Sequence, residues 1–417
     1  MTRWITSQLG TAPWEHCERA SGNVLVDVRL LRDSAGNPVD VIRERIEQAL
    51  EALRIGRTVI VCCDYGVSRS NAIAAGVLAA HSGIDYDTAL ARVIAATGEQ
   101  RIKLDFVSDV RAALGEPPRR TADSGTFIIG RDGFMGRALQ RALGLEEPGD
   151  DLVAGDALAA NPVLLDTQLG ALAPKQLLFC WHPSQLDTNA AAGTLITCLR
   201  NVLEVCRLRR LDFVFISGHQ VFSARRDEEI RRCSEEEHAQ PSGAAGDGLY
   251  LAEQLIRLYA SRDRLHTLIV RPTHLYGAGD RRPSFLNTFL RKALSGVTIE
   301  THVFSNGAPY VDVLHVDDFA RGVALALARD LRGVLHLASG HALTTETLAN
   351  EVVRLANRGG LTRTIALPGI CTRTLLDPSL AQDTLAWSPD IALSDGLHEA
   401  LSHIRINTDD TEGTLSK

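Results

Sequence analysis

Short β-branched runs alternate with stretches of helical spacing, and the alternation occurs twice along this chain, on either side of a break. In the first series, "VLVDV" (24–28) reads as a strand. "VDVIRERIEQALEALR" (39–54) carries apolar residues at helical spacing and stops at Gly56. "TVIVCC" (58–63) is short and apolar throughout, as suits a buried parallel strand. "SNAIAAGVLAAHSG" reads as a helix closed by Gly83, and "DTALARVIAATG" as another. Two prolines and a polar run in "GEPPRRTADSG" (115–125) mark a linker. The pattern then restarts with strand "TFIIG", helix "FMGRALQRALG", strand "QLLFCW", helix "GTLITCLRNVLEVCR" and strand "LDFVFISG". Helix "LYLAEQLIRLYASR", strand "HTLIVRP" and helix "DDFARGVALALA" follow. The expectation is α/β: a small α/β domain over 1–115, a linker over 116–125, a doubly wound parallel sheet over 126–405 and a polar, disordered tail over 406–417.

The 417 residues are enough for two or three domains, each with its own core. A net charge of −7 excludes the broad basic field that nucleic-acid binding requires. The short clusters Arg207–Arg210 and Arg225–Arg226 read as solvated faces. No apolar run approaches the roughly 20 residues that span a bilayer, and "MTRWITSQLG" has no signal-peptide core, so a cytoplasmic protein without a membrane partner is expected. The eight cysteines show no metal-ligand spacing; reduced, mostly buried thiols and no metal are expected. Cys63 is the exception, with Cys62 beside it pointing the other way.

Cys63 stands six positions before Arg69, in a loop between an apolar strand and a helix N-terminus. The backbone amides of Asp64, Tyr65, Gly66, Val67, Ser68 and Arg69 can form an anion nest there, reinforced by the positive end of the helix. A thiol in such a field ionises readily, and the Arg69 guanidinium offers a planar fork to phosphate oxygens. Ser70 follows, placed to stabilise the thiolate as it leaves a phosphocysteine. Asp33, on the "LRDSAGNP" loop, is assigned as general acid and then base, with Asp27 and Asp40 as nearby alternatives. "VIVCCDYGVSRS" resembles the HCxxGxxRS loop of the dual-specificity phosphatases, in the cysteine-dependent protein tyrosine phosphatase superfamily, and "LRDSAGNP" resembles their acid loop. The resemblance covers about residues 1–114 and implies a phosphatase-type α/β domain that needs no cofactor. Cys62 replaces the histidine that this family usually places before its nucleophile.

"TFIIGRDGFMGRAL" sets Gly130, Gly133 and Gly136 between a strand and a helix, where glycines allow a tight turn and the close approach of a pyrophosphate. With "FVFISGHQVFS", "LIVRPTHLYGAGD" and "VDVLHVDDFARGVALAL", this stretch resembles the extended short-chain dehydrogenase/reductases, the NAD-dependent sugar epimerases and dehydratases. The resemblance runs from about 126 to 404. It implies a Rossmann-like sheet with a small substrate lobe, bound NAD or NADP through the three glycines, and a homodimer. The family's Ser/Thr, Tyr and Lys fall in this chain on Gly218, Ala245 and Leu249, so its usual acid/base set is missing. Pro241, Gly246, Ala252 and Glu253 match the family segment. Tyr250 with Gln254 imitates Tyr-x3-Lys without the lysine. Asp150 or Asp151 is a substitute for the ribose-holding acid, Asp317 and Asp318 read as capping and loop-pinning groups, and Arg271, Arg281 and Arg282 border the sugar-nucleotide cleft as ligand anchors or structural pairs.

Three functions follow as expectations. The favoured one is a metal-independent phosphatase acting on a small sugar- or nucleotide-type phosphate, joined to an epimerase-like domain that serves binding or assembly. Alternatives are an NAD(P)-dependent epimerase, dehydratase or oxidoreductase with atypical groups such as Ser217, His219 or Tyr250, or a phosphatase for phosphoproteins. A scaffold with both sites silent is disfavoured by the intact Cys63, Arg69 and Asp33.

Overall fold

The structure is a computed structural model that describes residues 1–17, 22–99, 101–116, 125–145, 155–182, 186–224 and 229–413. The chain divides into two compact units. One is Met1–Asp123 with Leu158–Lys175 and Glu204–Arg210; the other is Ser124–Ala157, Gln176–Leu203 and Leu211–Lys417. The first unit therefore takes in segments from beyond residue 125, which no local pattern in the sequence signals.

The first unit is built on a four-stranded sheet of β1 (Arg3–Trp4), β2 (Leu9–Pro13), β3 (Val24–Asp27) and β4 (Val59–Cys63), in the order β1-β2-β4-β3. β2 and β3 flank β4 in parallel, and β1 closes the edge antiparallel to β2. Every residue of β4 is buried, which accounts for its unbroken apolar sequence. Its helices are α1 (Val39–Arg54), α2 (Arg69–Ser82), α3 (Tyr86–Thr97) and α4 (Leu104–Ala113). α2 is buried from Ser70 to Ala79 and is rich in alanine, so neighbouring helices close on it. A Cβ at Gly76 would lie 3.0 Å from Ile46 and 3.1 Å from Val110, so this glycine sets the spacing to α1 and α4. The helix Pro162–Leu172 belongs to this unit through charge: Arg111 pairs with Asp87, Glu116 and Asp166, and Arg209 forks onto Asp166.

Cys17 and Cys62 form a disulfide, which corrects the expectation of reduced thiols for this pair. Alternation along β4 turns Cys62 away from Cys63 and into a small cluster with Ala12 and Cys17, 45 residues earlier in the chain. Cys63, Cys180, Cys198, Cys206, Cys233 and Cys371 are buried thiols outside this disulfide.

The second unit holds a five-stranded parallel sheet of β5 (Thr126–Ile129), β6 (Gln176–Phe179), β7 (Asp212–Ile216), β8 (Thr267–Pro272) and β9 (Gly333–Leu337). Its helices include α5 (Phe134–Ala142), α6 (Asn189–Arg209) as far as Leu203, α7 (Gly243–Asp263) and α8 (Val316–Ala328). Ile128, Leu178, Val214 and Leu268 stand in register and bury against Leu139 of α5 and Phe319 and Val323 of α8. The sheet order β5-β6-β7-β8-β9 follows chain order throughout. A doubly wound sheet reverses its strand order at a switch point; among the described residues there is no reversal, and β5 pairs on one side only.

A smaller core, including Leu286, Leu290, Ile299, Leu348, Val352 and Leu401, joins the helices Phe285–Leu294 and Thr345–Ala356 to the last helix. That last helix runs Leu393–Gly413, so residues 406–413 continue it where their polarity predicted a disordered tail. Among the described residues no helix is long and apolar enough to cross a membrane.

Candidate functional site

Cys63 ends β4 with 2% of its surface exposed. The Gly66 N–H donates to Cys63 Sγ at 3.2 Å, and Ser70 Oγ lies 3.3 Å from the same sulfur. Gly66 has φ +66°, and a Cβ there would stand 2.5 Å from the Pro13 nitrogen and 2.8 Å from the Ala12 carbonyl carbon. Only glycine lets the loop fold this closely over β2. The loop is buttressed by side chains. Ser68 Oγ accepts from the Lys103 N–H at 2.9 Å, and Asn71 Nδ2 donates to the Val67 carbonyl at 2.7 Å. Asn71 Oδ1 in turn accepts from Thr11 Oγ1 at 2.8 Å. Asn71, fully buried, was missed by sequence reasoning; its place two residues past Arg69 was the available signal.

Arg69 opens α2, and its side chain is 11% exposed. Nη1 donates to the carbonyls of Arg29 and Leu31, both at 2.9 Å, and Nη2 donates to Asp64 Oδ2 at 2.5 Å. The segment that receives Arg69 is itself held: Arg29 forks onto Asp27 and lies 3.5 Å over the Trp14 ring. Tyr65 is 78% exposed, so its side chain is at the rim while its backbone belongs to the loop.

Asp33 lies two residues beyond Leu31 on an exposed loop. Asn37 ties this loop together. Its Oδ1 accepts from the Arg32 N–H at 2.7 Å, its Nδ2 donates to the Ser34 carbonyl at 2.7 Å, and its own N–H donates to Asp109 of α4 at 2.9 Å. The alternative acids are engaged elsewhere. Hydrogen bonding from the Arg29 guanidinium holds the Asp27 carboxyl below its usual range, which disqualifies it as a proton donor near neutrality. Asp40 pairs with Arg43 on the exposed face of α1.

In the second unit Gly130 has φ +91°, and a Cβ there would meet the Trp181 backbone at 2.6 Å. Gly133 is the N-cap of α5, and a Cβ at Gly136 would fall 2.1 Å from the Gly130 carbonyl. Gly130 and Gly136 are thus required by the turn's own packing, while a Cβ at Gly133 would meet only the Gly130 carbonyl, at 3.1 Å. A cavity of about 210 Å³ is lined by Met135, His182, Ser217, Gly218, His219, Gln220, Leu249, His274 and Arg282, among others. Gly218 and Leu249 stand where a Ser/Thr and a lysine were sought, and the Gln220 amide oxygen lies 2.2 Å from where a Cβ on Gly218 would be. That oxygen is buried and has no hydrogen-bond partner. Ala245 is half-buried on α7, and Tyr250 lies half-buried on the same helix with Gln254 one turn on.

The other polar candidates are committed within the fold. Ser217 Oγ donates to Glu253 Oε1 at 2.6 Å, and Arg271 forks onto the same buried carboxylate at 2.9 and 2.6 Å. Arg282 forks onto Asp280, while Arg281 is exposed. Asp318 accepts from the N–H groups of Asp390 and Ile391, as its loop-pinning reading requires, and Asp317 pairs with Arg141. The capping side chain of α8 is His315 rather than either aspartate. Burial pushes His182 and His274 down to about 4 and His219 well below its ordinary value, so all three imidazoles facing the cavity are neutral at pH 7.

The fold and these two sites define a two-unit α/β protein whose second unit is built on a parallel, Rossmann-like sheet. Residues 176–337 match the NAD dependent epimerase/dehydratase family. The chain is 29% identical over 269 residues to a dTDP-glucose 4,6-dehydratase of Streptomyces niveus, covering 62% of this chain and 73% of that protein. It is 31% identical over 139 residues to GDP-L-fucose synthase 1 of Arabidopsis thaliana, covering 31% of this chain and 42% of that protein. Among solved structures, the Thermus thermophilus UDP-glucose 4-epimerase complex with NAD has a TM-score of 0.57 at 18% identity, covering 67% of this chain and 98% of that one. RMD from Pseudomonas aeruginosa complexed with NADPH has a TM-score of 0.59 at 18% identity, covering 67% and 99%. At these identities the structures establish the fold of the second unit: a parallel, Rossmann-like sheet. The turn Gly130–Gly136 and the N-terminus of α5 fit a pyrophosphate. Among the described residues no strand beyond β5 supplies an acid for the adenosine ribose, and Asp150 and Asp151 lie outside the described residues.

Proposed function

We propose that the first unit is a metal-independent cysteine phosphatase for small phosphate monoesters. The observation that carries this reading is that the Gly66 N–H and Ser70 Oγ both meet Cys63 Sγ, in the loop ahead of the helix that Arg69 opens with its guanidinium anchored by two backbone carbonyls. In the first step the Cys63 thiolate attacks phosphorus, the P–O ester bond breaks, and Asp33 delivers a proton to the departing oxygen. In the second step Asp33 takes a proton from water, whose oxygen attacks the phosphocysteine; the P–S bond breaks, releasing inorganic phosphate and restoring the thiolate. Arg69 and the loop amides carry the charge of both transition states. The test is hydrolysis of p-nitrophenyl phosphate and of a panel of sugar and nucleoside phosphates in the presence of EDTA. Cys63→Ser is expected to abolish it, and Asp33→Asn to lower kcat by about 10²-fold, within the range of general acid–base catalysis. Turnover by Cys63→Ser at the wild-type rate, or activity on phosphopeptides alone, would count against the reading.

A second reading for the second unit is supported by the family match over 176–337 and by relatives named as a dehydratase and a synthase acting on nucleotide-linked sugars. Here the turn of Gly130, Gly133 and Gly136 would hold the pyrophosphate of NAD or NADP, which supplies hydride transfer when bound. The chain's own contribution would be a cavity walled by neutral imidazoles and by Gln220. Nicotinamide fluorescence on titration with NADH, and an absorbance change on nucleotide sugars that survives Cys63→Ser, are the measurements that decide it.

A further inference from the structure

We infer that Asp64 is a displaceable counter-ion on Arg69: it keeps the empty phosphate cradle assembled and competes with the incoming oxyanion. The inference rests on the phosphatase reading and concerns how tightly that site takes its substrate. Arg69 Nη1 is occupied by the carbonyls of Arg29 and Leu31, so a phosphate must be gripped through the remaining edge of the guanidinium. That edge is engaged, because Nη2 donates to Asp64 Oδ2 at 2.5 Å. The Arg69 side chain is 11% exposed while that of Asp64 is 50% exposed. The guanidinium is thus largely withdrawn from water and needs an anion beside it; the carboxylate sits at the rim and can swing out.

The position of Asp64 in the chain sets up this competition. It directly follows Cys63, and the next turn of the loop is fixed by Gly66 against Pro13. An oxyanion seated over the sulfur and on Nη2 therefore arrives beside a second negative charge. Two like charges at one edge repel, and the repulsion is felt only in the bound state. Asp64 thereby lowers affinity for substrate and product alike, and the same contact holds Arg69 in its working orientation between turnovers. It is a positioning and affinity-setting residue; its carboxylate takes no part in bond breaking.

The test uses the full chain and tungstate as probe, a non-transferable oxyanion. Tungstate affinity is read by calorimetry and as inhibition of p-nitrophenyl phosphate hydrolysis. Asp64→Asn is expected to tighten tungstate binding and lower KM by about tenfold at low salt, with the advantage shrinking as ionic strength rises. Asp64→Glu, which restores the charge, is expected to return both values toward wild type. Asp64→Ser stands in for the asparagine variant if that variant melts below wild type. Binding by Asp64→Asn and Asp64→Ser equal to or weaker than wild type overturns the inference while leaving the phosphatase reading in place. A wild-type chain that neither binds tungstate nor hydrolyses the ester overturns both.

Discussion

At the scale of single residues, the loop from Cys63 to Arg69 depends on a prop that is remote in sequence. Asn71 ties the Val67 carbonyl to Thr11, 60 residues earlier, inside a fully buried site. Asn71→Ala leaves Thr11 Oγ1 and that carbonyl without partners. The expected cost is about 1–3 kcal/mol of stability, with a drop in kcat exceeding the change in KM; urea unfolding and steady-state kinetics check this. Wild-type kcat in the alanine variant would dismiss the prop as unimportant to turnover. The loop formed by Cys63, Gly66, Arg69 and Ser70 was legible because all four lie in one short stretch and its geometry depends on local spacing. Asn71 was not, because its value lies in what it touches. The same holds for the contact between Arg69 and Asp64, which requires knowing that Arg29 and Leu31 occupy the other guanidinium nitrogen.

At the scale of elements, strand and helix periods were readable wherever one face is buried, as in α1, whose buried residues include Ile42, Ile46, Ala49 and Leu53. The allegiance of the helix Pro162–Leu172 was not, since nothing in its own pattern names Arg111 or Arg209 as its partners. These ion pairs are largely buried, with side-chain exposures of 9% for Arg111, 5% for Arg209 and 11% for Asp166. Removing one member of such a group leaves uncompensated charge in a poorly solvated place. Asp166→Ala in the full chain is therefore expected to destabilise the first unit by about 3 kcal/mol. Hydrogen exchange in α3 and α4 would report it, and unchanged protection there would refute it. The disulfide belongs to the same class of miss: 45 residues separate Cys17 from Cys62, and neither flank carries a pairing signature.

For the molecule as a whole, the second unit stores an acid sensitivity in its imidazoles. Burial pushes His336 down to about 3 and His182 and His274 to about 4. In the unfolded chain the same rings take up a proton near 6.5. Below that pH the unfolded state binds more protons, so stability falls as pH drops from about 6.5 towards 4, by up to about 1.4 kcal/mol per pH unit for each ring. The urea midpoint of the second unit, followed by hydrogen exchange, is expected to be clearly lower at pH 5.5 than at 7.5; equal midpoints would contradict this. The α/β class and the glycine turn of this unit were legible, because strand–helix alternation is a local signal. The order of its strands was not, since a run of βα units reads alike whether the sheet grows in one direction or reverses.

The link between Cys17 and Cys62 ends one residue short of Cys63. The reductants customarily added to protect a reactive thiol in the assay tube attack disulfides by the same exchange chemistry. A reductant that reaches this buried link would also unfasten the strap at the back of Cys63, and rate against reductant concentration would then report two sulfur events at adjacent positions.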